Sequence, residues 1–172
     1  MTDAPKHPIS PDPANELASD HSPIDPRDFR NALGTFATGV TIITAAGADG
    51  KPYGLTCNSF ASVSLNPPLV AFLPGKESRT SPKIVRSGRF CVNVLGAHQE
   101  PVSRAFATGG ERKFESLEWT PSPTGLPRLD SAVAWIECTV EAYAYNRQEP
   151  LLFARGGYGR FRPGGGGSAS KP

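Results

Sequence analysis

The fold is decided by one long alternating stretch, which reads AWIECTVEAYAY over residues 134–145. Small apolar residues occupy every second position, and larger or charged residues occupy the positions between them. This period of two is typical of a β-strand, because successive side chains of a strand point to opposite faces of the sheet. The stretch therefore predicts a long strand with an apolar face and an amphipathic face, on which Glu137 and Glu141 are interpreted as solvated charges.

Shorter strands and a few helices are predicted on both sides of this stretch. The strand signals are β-branched or alternating runs, at residues 40–45, 52–65, 69–73, 90–95, 151–154 and 158–161. A first helix begins with Asp25 and Pro26 and repeats Phe29, Leu33 and Phe36 on one face. Further helices are predicted over residues 82–86, ending at Gly88, and over residues 99–107. Many short strands with few helices favour a mainly β protein built as an antiparallel barrel.

Length and composition limit the class of protein. The chain has 172 residues, a net charge of +2 and 20% charged residues, which fits one globular domain and disfavours nucleic-acid binding. Residues 1–24 are predicted to form a disordered arm, residues 25–162 the folded domain, and residues 163–172 a flexible Gly/Ser tail.

Other sequence features concern location and metals. No apolar run approaches the length of a membrane span, and the N-terminus lacks the apolar core of a secretory signal. Three cysteines without C-x-x-C spacing indicate neither a disulfide framework nor a zinc site. Each is interpreted as a small buried apolar residue, and a reduced, cytoplasmic location is expected.

Polar residues recur within the stretch GLTCNSFASVSLNPP, residues 54–68. Thr56, Asn58, Ser62 and Ser64 have the same parity along the predicted strand, so their hydroxyl and amide groups are expected to line one face. Such a row suits a flat heteroaromatic ligand with polar edges, although a solvated sheet face is the commoner explanation of the pattern alone.

A second polar cluster reads SRTSPK, residues 78–83, at the predicted start of a helix. Hydroxyl groups, cations and free backbone N–H groups favour phosphate binding there, while ordinary helix capping by Ser or Thr is the commoner alternative. Taken together, the two clusters indicate a mononucleotide whose ring lies on the strand and whose phosphate lies at the helix.

Several separated motifs resemble the flavin reductase-like family, and they cover about residues 27–162. They are FRxALGxFATGVT at residues 29–41, the region 55–68, SxT at 78–80, FxVNVL at 90–95, KF at 113–114 and GLPxL at 125–129. This family comprises FMN-binding split-barrel proteins, including the reductase components of two-component flavin-dependent monooxygenases.

The resemblance implies a mainly β, Greek-key-like split barrel with a few short helices, assembled as a homodimer. It also implies FMN as cofactor, with FAD or riboflavin as alternatives, and NADH or NADPH as electron donor. Hydride would pass from the nicotinamide to the flavin, and the reduced flavin would serve a partner monooxygenase.

The resemblance also assigns cofactor-binding residues by motif. The isoalloxazine ring and ribityl chain would contact Thr56, Asn58, Ser59, Ser62, Val63 and Ser64. The phosphate would contact Ser78, Thr80 and Lys83, and the segment that closes the site would include Phe106, Lys113 and Phe114. No catalytic residue and no metal ligand is assigned.

One family motif is missing from this chain. Family members usually carry Gly-Asp-His on a late strand, whereas here Asn146, Arg147 and Gln148 connect the flanking segments directly. We expect residues 143–153 to span the gap with altered pairing, and nicotinamide binding to be weakened or lost. The alternative function is therefore a flavin-binding carrier, a sensor or an inactive homologue.

Overall fold

The computed structural model describes residues 24–75, 77–110, 112–146 and 149–161. The predicted tail at residues 163–172 and all but the last residue of the predicted arm at residues 1–24 lie outside this part of the chain. The helices are α1 (Pro26–Gly34), α2 (Ser81–Ser87) and α3 (Glu100–Ala107), with short 3₁₀ turns at Ala97–Gln99 and Arg112–Phe114. The strands are β1 (Thr41–Ala46), β2 (Pro52–Cys57), β3 (Ala61–Leu65), β4 (Pro68–Phe72), β5 (Arg89–Val94), β6 (Trp119–Pro121), β7 (Pro127–Leu129), β8 (Ala134–Asn146) and β9 (Glu149–Phe161).

The described residues fall into two compact units, one that ends at Ala37 and one that begins at Thr38. In the first unit, α1 begins as predicted: the Asp25 carboxylate accepts hydrogen bonds from the N–H groups of Arg27 and Asp28. The predicted apolar residues Phe29, Leu33 and Phe36 are all exposed.

Across the described ranges, no helix combines the length and the apolar character needed to cross a membrane.

The second unit is built on a seven-stranded sheet in the order β2-β1-β5-β8-β9-β4-β3, with antiparallel neighbours. Laid flat, seven strands would place β2 and β3 about 29 Å apart, at about 4.8 Å per step. Only residues 58–60 join these two edge strands, and four residue steps reach at most about 15 Å. The sheet must therefore curl until its edges approach, which confirms the predicted antiparallel barrel and leaves a split between β2 and β3.

The region 52–65 is not one strand, as the sequence predicted, but two strands on opposite edges of the sheet. The chain leaves β2 after Cys57, and Ser59 stabilises the connection: its hydroxyl donates to the carbonyl of Leu73 at 2.8 Å and accepts from the Leu73 N–H at 3.1 Å. A register shift between Ser62 and Ser64 further interrupts the alternation. The expected row of polar side chains on one continuous face therefore does not form.

Both faces of β1 are buried, and each face packs against a different hydrophobic cluster. Ile43 and Ala45 belong to the main core, together with Phe72 and Phe90, whose rings meet edge to face at 5.3 Å. On the opposite face, Ile42 joins a second cluster, which also contains Phe106, Phe114, Leu129 and Ala132. This second cluster packs α3 and the segment that follows it against the outside of the sheet.

β8 and β9 form one long antiparallel hairpin, in which Asn146 pairs with Glu149 and Ala134 pairs with Phe161. Residues 143–146 therefore pair with residues 149–152, and β9 pairs with both β8 and β4. The interpretation of Glu137 as a solvated charge is wrong, because Glu137 is 5% exposed and accepts the Thr124 N–H at 3.2 Å. Glu137 shares one face of β8 with Trp135, and the loop that carries Thr124 and Leu126 covers this face, so Glu137 is buried although its neighbour Cys138 faces the main core.

Candidate functional site

A large open cleft of about 1940 Å³ lies in the second unit. One wall comes from the end of β1, the turn after it and β2, and a second wall comes from the loop before α2 and from α2 itself. The third wall comes from the end of α3 and the segment that follows it, as far as Trp119. The cleft therefore depends on long-range pairing, because its walls are far apart in the chain.

Cationic side chains dominate the cleft. Its lining includes six cations, which are Lys51, Arg79, Lys83, Arg86, Arg112 and Lys113, and three carboxylates, which are Asp49, Glu77 and Glu115. The lining thus carries a formal charge of +3, although the whole chain carries only +2. A cleft with one excess sign of charge concentrates ligands of the opposite sign, so this one favours anions.

The residues predicted to hold a phosphate meet on one wall of the cleft. Ser78, Thr80 and Lys83 all contribute to its lining. The Ser78 hydroxyl accepts the N–H of Ser81 at 3.1 Å, whereas the Thr80 hydroxyl makes no capping hydrogen bond to α2. Helix capping therefore accounts for Ser78 but not for Thr80, whose hydroxyl can serve a ligand.

The α2 wall is attached to the barrel through Tyr53. The Tyr53 hydroxyl shares its one proton between two carbonyl acceptors, that of Lys83 at 3.1 Å and that of Ala46 at 3.2 Å. The Lys83 ammonium lies 5.8 Å from the centre of the Tyr53 ring. Tyr53 thus positions the lysine at the cleft wall.

The residues predicted to contact the ring are divided between the cleft and the split edge of the barrel. Thr56 lines the cleft, but its hydroxyl already donates to the carbonyl of Ser103 at 2.6 Å. The others lie outside the cleft lining, in the connection after β2 or on β3, and they are Asn58, Ser59, Ser62, Val63 and Ser64. Ser62 and Val63 are exposed, and Ser64 is half-buried.

The predicted closing segment forms the third wall. Phe106 and Phe114 are buried and meet edge to face at 5.0 Å, so their rings support the wall rather than present a stacking surface. The Lys113 ammonium donates to the carbonyl of Phe106 at 2.9 Å and to that of Gly54 at 3.4 Å. Burial lowers the pKa of Lys113 below its ordinary value.

Several cleft residues were not predicted, among them Arg86 and Tyr53. The charge spacing was an available signal for Arg86, since Lys83 and Arg86 are three residues apart in the predicted helix. Such an interval places side chains on one side of a helix. Tyr53 had no comparable signal, because its partner Lys83 lies 30 positions away.

Thiol and metal chemistry find no support in the described residues. All three cysteines are free and buried, as predicted. Burial raises the pKa of Cys57, and it raises the pKa of Cys91 and of Cys138 to about 12, which disfavours the reactive thiolate. Within the described ranges, no three His, Cys, Asp or Glu side chains are grouped as metal ligands.

Known proteins similar to this chain are flavin reductases and monooxygenase components. The chain is 45% identical over 157 residues to the reductase subunit HsaB of a flavin-dependent monooxygenase from Rhodococcus jostii, a match that covers 81% of this chain and 80% of that protein. It is 40% identical over 151 residues to FMN reductase (NADH) SmoA from Agrobacterium fabrum, covering 78% and 86% of the two chains. It also resembles the crystal structure of nitrilotriacetate monooxygenase component B from Mycobacterium thermoresistibile, with a TM-score of 0.76, 42% identity, and coverage of 85% and 78%.

In the match to HsaB, the aligned part of this chain is shorter than the aligned part of its relative. The 157 positions aligned with HsaB correspond to 81% of 172 residues, or about 139 residues, so about 18 positions have no counterpart here. Residues 33–154 match the family described as flavin reductase like domain. The chain therefore belongs to the flavin reductase-like family.

Proposed function

We propose that the chain transfers a hydride from NADH or NADPH to FMN and supplies the reduced flavin to a separate flavin-dependent monooxygenase. The observation that carries this proposal is the basic cleft, which brings Ser78, Thr80 and Lys83 together in a chain of this family. The relatives named FMN reductase (NADH) and monooxygenase reductase subunit favour a reductase over a flavin carrier.

The donor groups of the cleft fit the phosphate end of FMN. The Thr80 hydroxyl and the Lys83 ammonium would donate to the phosphate, and the Ser78 hydroxyl can donate while it accepts from Ser81. Bound FMN would supply the acceptor of the two electrons, so the work of the protein residues is to bind, orient and shield.

The split edge of the barrel would hold the ring. Within the described strands β3 pairs only with β4, which leaves the backbone N–H and C=O groups on its outer edge available. Ser62, Val63 and Ser64 would contact the ring there, next to the cleft that receives the phosphate. Because the side-chain hydroxyls of Thr56 and Ser59 are already hydrogen-bonded, these two residues would contribute through their backbone groups, beside the amide of Asn58.

Anaerobic stopped-flow mixing of the FMN-loaded protein with NADH or NADPH tests the reductase activity. We expect the visible absorbance of oxidised flavin to disappear within a single turnover. The experiment is a stringent test of the proposal, because about 18 positions of HsaB have no counterpart here and the chain lacks Gly-Asp-His. FMN that binds but is not reduced by either nucleotide would contradict the proposal.

Supply of a partner requires that reduced flavin leave the protein. With FMN in large excess, we expect the protein to reduce many equivalents of flavin under anaerobic conditions. Reduction that stops at one equivalent per chain would show that the flavin stays bound, and would contradict a role as a supplier of free reduced flavin.

We further propose a homodimer, supported by exposed apolar side chains in both units. Leu65 is 89% exposed on β3, and Phe36 is 75% exposed in the first unit, which is unusual for large apolar side chains unless a partner covers them. Sedimentation equilibrium should give twice the chain mass, and Leu65→Asp should lower it, whereas Ser116→Asp adds the same charge at another exposed position and should not. A single-chain mass for the unmodified protein would contradict the dimer.

A further inference from the structure

The cleft carries more cations than a single phosphate needs. Arg79, Lys83 and Arg86 are exposed residues of its α2 wall. None of the ion pairs formed among the described residues includes any of these three, whereas Lys51 pairs with Asp49 and Arg112 with Glu115 in the same cleft. With Glu77 counted on the same wall, the α2 wall carries two of the three excess positive charges of the cleft, and the wall with Arg112, Lys113 and Glu115 carries the third.

Arg86 lies beyond the group that would bind the FMN phosphate. Lys83 and Arg86 are three residues apart on α2, so their side chains are neighbours on one helix face, about 5–6 Å apart at Cβ. Arg86 lines the cleft, and because its Nε donates to the carbonyl of Pro82 at 3.4 Å, its two Nη groups remain as donors for a ligand. Arginine presents these donors in a fixed planar arrangement that suits a phosphate.

We propose that the cleft binds a second phosphoryl group in addition to the phosphate of FMN, and that Arg86 is the residue that contacts it. This inference rests on the proposed function, since it assumes that Ser78, Thr80 and Lys83 serve the first phosphate. Arg86 would thereby determine specificity among nucleotides. The second phosphoryl group has two chemical sources in a flavin reductase: the adenylate phosphate of FAD, or the 2′-phosphate of NADPH.

The test compares nucleotides that differ by one phosphoryl group. Riboflavin, FMN and FAD are titrated into the full chain by calorimetry, and KM is measured for NADH and NADPH, with the unmodified protein and with Arg86→Gln. We expect Arg86→Gln to weaken the binding of either FAD or NADPH about tenfold, since a charge-assisted hydrogen bond of about 1.5 kcal/mol is lost. Binding of riboflavin, FMN and NADH should change less than twofold.

Two further variants make the result specific. Arg86→Lys keeps the charge and should retain part of the affinity that Arg86→Gln loses. Arg104→Gln removes the same charge from an exposed arginine that pairs with Glu100 and lies outside the cleft lining. This variant should leave the affinities for riboflavin, FMN and FAD and the KM values for NADH and NADPH unchanged.

The ligand whose binding Arg86→Gln weakens identifies the source of the second phosphoryl group. A selective loss for FAD assigns the second phosphoryl group to the flavin, and a selective loss for NADPH assigns it to the electron donor. An equal change for all ligands, or no change for FAD and NADPH, would overturn the role of Arg86. Failure of the unmodified protein to bind FMN would instead overturn the proposed function, so the two failures are distinguishable.

Discussion

At the scale of single residues, the cleft depends on one close approach between β2 and α3. A Cβ atom added at Gly54 would lie 2.8 Å from the Cε1 atom of Phe106 and 3.0 Å from the carbonyl oxygen of Ile43. Gly54 also accepts the Lys113 hydrogen bond. The absence of a side chain at Gly54 is therefore what allows the Phe106 ring to reach the sheet.

Gly54→Ala should lower the free energy of unfolding by about 1–3 kcal/mol, because Phe106 must leave its packed position. Chemical denaturation measures the loss, and near-UV circular dichroism should report a change in aromatic packing. Gly39→Ala is the matched control, since a Cβ there has no neighbour within 4 Å. Equal stability of the two variants would contradict the close contact.

At the scale of elements, two hydroxyl residues before α2 have different roles: Ser78 caps the helix, and Thr80 is available to a ligand. Ser78→Ala removes the acceptor of the Ser81 N–H and should cost about 1 kcal/mol of stability. Thr80→Val removes a hydroxyl that caps nothing, so stability should change by less than about 0.5 kcal/mol, while FMN affinity should fall about fivefold or more. Thermal denaturation and titration with FMN and riboflavin measure the two effects; unchanged FMN affinity in Thr80→Val would contradict the phosphate assignment.

The small β6–β7 hairpin is attached to the main sheet by a buried amide. Asn93 is fully buried; its Nδ2 donates to the carbonyl of Ile42 and the hydroxyl of Thr44, and its Oδ1 accepts the Leu129 N–H at 2.8 Å. The Thr44 hydroxyl also donates to the carbonyl of Pro127. β7 is thus held by hydrogen bonds from two strands of the barrel.

Asn93→Leu should lower the free energy of unfolding by about 2–4 kcal/mol, since it leaves buried backbone groups without partners. Urea denaturation measures the change, and Asn31→Leu, at an exposed position of α1, is a control that should stay within about 0.5 kcal/mol. A small effect of Asn93→Leu would mean that the amide does not hold β7.

At the scale of the whole molecule, stability at alkaline pH should depend on buried thiols. Cys91 and Cys138 have pKa values of about 12 in the folded protein, chiefly because burial disfavours the thiolate, compared with 9.0 when exposed. Between these values the unfolded chain loses protons that the folded protein retains. Folding stability is therefore highest below about pH 9 and falls as the pH rises toward 12.

The two thiols together should contribute a slope of up to about 2.7 kcal/mol per pH unit above pH 9, at about 1.4 kcal/mol per unit for each. Denaturation at several pH values measures the slope in the unmodified protein and in the double variant Cys91→Ala/Cys138→Ala. The variant should be less stable at neutral pH because of the lost packing, but its stability should decline less steeply above pH 9. Parallel curves would contradict the assignment to these thiols.

Local sequence patterns determined most of the elements. Periodicity and turn residues predicted α2 and its end at Gly88, where φ is +70°, as well as β1, β4, β5 and β8 to within one or two residues. The cluster at residues 78–83 could also be located, because its members are adjacent in the chain. These features depend on the preferences of neighbouring residues, which the sequence records directly.

Only the tertiary structure decided how these elements combine. It placed β2 and β3 on opposite edges of the sheet, buried Glu137 beside a bulge, and engaged the hydroxyl of Thr56 with Ser103. It also assembled the basic cleft from three separate segments. Each outcome depends on which distant strands pair and in what register, and that choice is made by packing over the whole barrel, which no local pattern contains.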